Sequence, residues 1–160
     1  MNSDERRNRI SYKVNLKPYL QELNCFTLKP KSETDLISLD ETKKIIERSK
    51  SIRKTERNKI TIPFKEKQSE HFNNYIQRLQ DANSSGIYLW IERANNCGTT
   101  LLGSLSEVNW NFEFLCNNNA ILILITSDCR DEVLFDFYKE DDKELLDIET
   151  WGVNWSKISW

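Results

Sequence analysis

The period of the apolar residues changes at Gly86, and that switch constrains the fold more than any other feature of the chain. Before it, side chains recur at helical spacing: Leu16, Tyr19, Leu20 and Leu23, then Phe72, Tyr75, Ile76 and Leu79. After it, Ile87–Ile91 is a continuous apolar run, and Val108, Trp110, Phe112 and Phe114 alternate with Asn109, Asn111 and Glu113. Helix-period chain followed by strand-period chain predicts an α+β fold, with N-terminal helices packed on one face of a C-terminal antiparallel β-meander of four to five strands.

Local signals place the elements. Residues 1–12 are polar and basic, with Arg6, Arg7 and Arg9, and are expected to be disordered. A first helix is expected around 17–24, with Pro18 in its first turn. Ser38 and Glu41 match a capping box, so a second helix should run to about Thr55 with Ile45, Ile46, Ser49 and Ile52 inward. Its outer face would carry Lys43, Lys44, Arg48, Lys50, Arg53, Lys54 and Arg57. A third helix should follow Pro63 and stop at Asn83-Ser84-Ser85-Gly86.

Strands are then expected at 87–91, 108–114, 120–126 and 133–138, with turns at 95–98, 117–119 and 128–131. The end, 145–160, reads as a last strand with an aromatic tail on the sheet. The whole of 1–160 reads as one domain, with a helical part at 13–82 and a sheet part at 86–160.

Charge divides along the same line. Residues 1–80 carry 18 Lys+Arg against 11 Asp+Glu, and residues 81–160 carry 5 against 14, so net charges of +7 and −9 sum to −2. All five tryptophans lie in the acidic half. An acidic, aromatic-rich surface suits a cationic protein partner, because complementary fields steer encounter and rings anchor it. Without an apolar leader behind the first residues, and with four dispersed cysteines, a reducing cytoplasm is the expected location. The strongest apolar run, Ile121–Ile125, is far short of a membrane span.

Candidate chemistry is sparse. His71 is the only histidine and reads as a solvated surface residue; no Cys-x-x-Cys pair suggests zinc. No phosphate-cradling glycine loop or nucleophile motif occurs. The pointed feature is Asp128–Glu149, where ten acids stand against three basic residues. Three readings of it are open: carboxylates around a divalent ion, a solvated sheet edge, or a surface for a basic partner. The partner reading sets Asp131, Glu132, Asp136, Tyr138, Glu140, Asp141, Asp142, Glu144, Trp151 and Trp155 as the expected binding residues. Asp136 is its sharpest member, because it interrupts an apolar strand beside Tyr138 and makes that strand's second face wet. Two other functions compete: nucleic-acid binding through the basic segment Lys43–Lys59, and metal-dependent catalysis by the Asp128–Asp142 acids.

The segments GIYLWIERA, VNWNFEFLCNNNAILILI, VLFDFYKEDD and LLDIETWGVNW, within about residues 86–155, resemble the small cytoplasmic immunity proteins of contact-dependent growth inhibition and related polymorphic toxin systems. The resemblance implies a non-enzymatic protein without cofactor that binds a cognate toxin domain, often a nuclease, over its active site. It implies no direct contact with nucleic acid or membrane. It would set Asp131, Glu132, Asp136, Glu140, Asp141 and Asp142 against basic toxin residues. The basic helical half departs from that pattern.

Overall fold

A computed structural model describes residues 1–52, 54–114 and 121–160. The fold is α+β, with helices leading and an antiparallel sheet filling the C-terminal half. The helices are α1 Ser3–Cys25, α2 Leu39–Ser51, α3 Glu70–Ala82 and the short α4 Ala94–Cys97. Among the described residues six strands form the sheet: β1 Arg57–Pro63, β2 Ile87–Trp90, β3 Thr100–Leu102, β4 Ile121–Thr126, β5 Asp131–Glu140 and β6 Lys143–Gly152. They lie in the order β1-β6-β5-β4-β2-β3, every neighbour antiparallel.

Six strands exceed the expected four to five. The first addition is β1, where Ile60 and Ile62 alternate with Lys59 and Thr61 and pair with Ile148 and Leu146 of β6. This period-two run follows a basic helix closely enough to read as its tail. The helix in fact ends at Ser51, so Arg57 and Lys59 belong to a strand. The second addition is β3, three residues long, beside β2.

Residues 108–114 are not a strand. Val108 makes one isolated bridge to Thr27, after which Asn109 folds the segment. The Asn109 amide group donates to the Cys25 carbonyl, and its side-chain oxygen accepts from the Asn111 amide. The Asn109–Asn111 bond is a local turn contact of the kind that competes with a ladder. The alternating rings instead form a wedge: Trp110 lies 5.3 Å from Phe135, and Phe112 lies 5.4 Å from Phe137. The turn expected at 117–119 lies outside the described residues.

The N-terminus is also more ordered than expected. Asn2 and Glu5 form a reciprocal capping box that starts α1 at Ser3 and places Pro18 inside the helix, not at its first turn. At α2 only half of the predicted box forms: Ser38 accepts from the Glu41 amide, while the Glu41 carboxylate pairs with Lys44. The turn expected at 95–98 is α4 followed by Gly98.

The sheet has two unlike faces. Val133, Phe135 and Phe137 of β5 point with Leu146 and Ile148 of β6 and Leu122 and Leu124 of β4 into the core. There they meet Phe72, Tyr75 and Leu79 of α3, the aromatic wedge, and the C-terminal tail. Trp160 packs 5.5 Å from Tyr75 and 4.4 Å from His71, so the expected aromatic tail on the core is present. The helices do not all lie on this face. From α2, Ile46 and Lys50 flank a cleft on the opposite face, floored by Trp90, Ile123 and Ile125. Among the described residues no helix is long and apolar enough to cross a membrane.

Candidate partner-binding face

The β5–β6 register builds the second face. On it Glu132 lies across from Trp151, Leu134 from Glu149, Asp136 from Asp147 and Tyr138 from Leu145. Beside them β1 adds Arg57, Lys59 and Thr61, and β4 adds Ile123 and Ile125. The strand alternation that buries Phe135 and Ile148 forces these polar side chains outward. Leu134, Asp136 and Tyr138 are half-buried, as residues of an uncovered sheet surface are.

Most acids of this face already have partners. Lys59 pairs with Asp147 at 2.8 Å and with Glu149 at 3.2 Å, and Arg57 pairs with Glu149 at 2.7 Å. Lys54 reaches Glu132 at 3.6 Å. Arg57 also sits over the Trp151 ring. The basic first half and the acidic second half of the sequence therefore neutralise one another across β1 and β6, and the net field of the face is weaker than its acid count suggests.

Asp136 is the exception. No hydrogen bond or ion pair holds its carboxylate among the described residues. Partial burial pushes its pKa up, and the facing Asp147 and the nearby Glu149 add to this against the pull of Lys59. Asp147 goes the other way. Burial works against its charge, but Lys59, the Thr61 hydroxyl at 2.6 Å and the Tyr138 hydroxyl at 3.2 Å hold it below the usual carboxylate range. Two carboxylates across one strand pair thus have opposite tendencies, one secured and one left over.

This pair gives a stability prediction. In the folded chain Asp136 binds its proton more tightly than in the unfolded chain. Its ionisation therefore opposes folding, absent well below the unfolded value of about 3.9 and growing as pH rises through that value toward the raised folded one. Asp147 supplies stability above the unfolded value, lost as pH falls through its lowered folded value. Asp136→Asn removes a like charge facing Asp147, so it should stabilise the fold at neutral pH by on the order of 0.5 kcal/mol. That is a Tm gain of about 1–2 °C for a chain of this size, and it should vanish in melts near pH 3.

The other expected binding residues divide. Glu140 and Glu144 are exposed at the turn end of the β5–β6 hairpin, and Glu144 pairs loosely with Lys139 at 3.8 Å. Asp141 and Asp142 form its two-residue turn with φ of 47° and 62°. That left-handed pair matches the twist of a hairpin, and Asp tolerates it. Trp151 remains on the second face.

Asp131 and Trp155 do not belong to a surface. Asp131 is fully buried, because β5 turns it to the core side. Its carboxylate accepts the amides of Asn154 and Trp155, each at 2.9 Å, and the side-chain amides of Asn154 and Asn83 at 2.8 and 2.7 Å. Trp155 is equally buried and donates from Nε1 to the Leu79 carbonyl at 2.8 Å. Gly152 has a φ of 109°, and a Cβ there would lie 2.2 Å from the Arg130 carbonyl oxygen, so only glycine lets the chain turn here toward Asp131.

The competing sets are dispersed. Asp128 sits in the β4–β5 turn. Burial opposes its charge, but the Arg130 amide and Thr126 hydroxyl hold it below the usual range. Asp131 is inside, Asp136 is on the far face, and Asp141–Asp142 are at the hairpin tip. Among the described residues no three His, Cys, Asp or Glu side chains converge as a metal cage would require. The segment Lys43–Lys59 is no continuous basic face either: Arg48 donates to the Ser127 carbonyl, and Lys54 and Lys59 bind acids.

Asp147, Glu149, Lys59 and Thr61 complete the face and were absent from the expected binding set. The signal for Asp147 and Glu149 was the alternation Leu145-Leu146-Asp147-Ile148-Glu149-Thr150-Trp151, which places every second residue outward; for Lys59 and Thr61 it was the alternation with Ile60 and Ile62. No family model, curated protein or solved structure matches this chain.

Proposed function

We propose that this chain is an immunity-type inhibitor that works in the cytoplasm by occlusion, covering the basic cleft of a cognate toxin domain with its second sheet face and excluding that domain's substrate. The observation that carries the reading is Asp136: a partly buried carboxylate with no hydrogen bond or ion pair among the described residues, bordered by Leu134 and Tyr138, on a face that helices leave open beyond α2. A lone acid beside an aromatic ring, ringed by already neutralised charge, favours a partner that brings one well-placed Lys or Arg. The exposed acids Glu140, Asp141, Asp142 and Glu144 extend the same side toward the hairpin tip and would steer a basic protein during approach. The reading assigns the chain no reaction of its own.

The test is genetic and then physical. The C-terminal domain of a large secreted protein encoded beside this chain should co-purify with it. The association rate of that pair should fall about tenfold or more as salt rises from about 50 to 500 mM, since the Debye length shrinks severalfold. A neighbouring toxin domain that fails to bind at low salt would contradict the proposal.

A further inference from the structure

Exposed cations without ion-pair partners among the described residues line one side of α1. Residues 1–10 are exposed along the whole of its first turns, while Tyr19 and Leu23 bury the far end. On the outward side Arg6, Ile10, Lys13, Val14 and Lys17 follow one another at helical spacing. No ion pair to Arg6, Lys13 or Lys17 occurs among the described residues, and Ile10 and Val14 are 54% and 69% exposed. The stripe mixes cations with bare aliphatic surface. Phosphates reward the first and not the second, which favours an acidic protein surface over nucleic acid.

A surface of that description belongs to the same chain. Asp136, Glu140, Asp141 and Asp142 have no ion-pair partner among the described residues, and Leu134 and Ile123 lie half-buried beside Asp136. We infer that the α1 stripe docks on the second sheet face of another copy of this chain, so that copies associate with each other through it. The occupant follows from charge complementarity: Arg6, Lys13 and Lys17 of the arm and Asp136, Glu140, Asp141 and Asp142 of the face are opposite charges without ion-pair partners among the described residues.

The inference shares its acceptor face with the proposed toxin surface but does not rest on it. Self-association would keep the face covered until a stronger basic partner displaces the arm.

Sedimentation velocity of the full chain tests it. Wild type should associate in about 50 mM salt and dissociate toward monomer at about 500 mM. An arm variant, R6E with K13E and K17E, and a face variant, D136K with D141K and D142K, should each stay monomeric. Mixed together they should associate again, because the acidic arm of one now meets the basic face of the other. Thermal melts of both variants establish that they are folded. Wild type that stays monomeric at low salt, association that survives both reversals, or variants that fail to rescue each other would overturn the inference. So would a short DNA duplex that binds the arm where a second copy does not. A monomeric chain leaves the toxin reading intact, whereas a self-associating chain that binds no toxin domain overturns only that reading.

Discussion

Asp131→Ala should destabilise the fold by about 3–5 kcal/mol, the range for breaking a buried, fully hydrogen-bonded charge. The substitution strands the backbone amides of Asn154 and Trp155 and the side-chain amide of Asn154, and leaves the Asn83 side-chain amide only its 3.4 Å bonds to Asp128. Asn83 ends α3, so the loss also unties that helix from the β5 start. Asp131→Asn should cost less, because Asn154 can flip its amide to match the new donor. Urea unfolding of the two variants measures the difference. Any Asp131→Asn protein that remains folded should bind the proposed partner as wild type does, since the side chain is fully buried.

Trp155→Ala should cost a similar amount, about 3–5 kcal/mol, for the cavity left by a fully buried indole. Trp155→Phe retains most of the apolar area and loses the hydrogen bond to the Leu79 carbonyl, so about 1 kcal/mol is expected. The Leu79 carbonyl also accepts from the Asn83 amide at 3.1 Å, so the substitution leaves it satisfied. The two sites are coupled, because the Trp155 amide is one of the Asp131 ligands. The double variant Asp131→Ala/Trp155→Ala should therefore lose less than the sum of the two single losses. Equilibrium denaturation of the cycle gives that coupling directly.

These two residues show where the sequence was legible and where it was not. Phe72, Tyr75, Ile76 and Leu79 announced α3 and its buried face, since helical spacing and burial are the same fact read twice. The β4–β5–β6 meander was legible from its alternation and turn residues, and Asp136 was correctly placed on the wet side of β5. Asp131 was not separable from its acidic neighbours. Parity along β5 puts it opposite Asp136, but an acid on a core face makes sense only once the Asn154–Trp155 turn arrives to bind it, 23 residues later in the chain. Trp155 was hidden for the same reason. The 108–114 wedge misled because alternating rings and asparagines satisfy a strand pattern and a turn pattern equally. The charge split was legible as a sum, yet pairing across β1 and β6 cancels much of it, and that depended on a strand the basic residues concealed.

The dissociation constant of the proposed complex with a toxin domain encoded beside this chain, for wild type and Asp136→Lys, tests the central claim most directly. Asp136→Lys should remain folded, since no hydrogen bond or ion pair holds the Asp136 side chain among the described residues. The account predicts binding weakened about 100-fold or more, in line with the 2–5 kcal/mol lost when one member of an interfacial charge pair is removed. Affinity within about twofold of wild type, with the variant folded, would contradict it and move the binding surface away from the open sheet face.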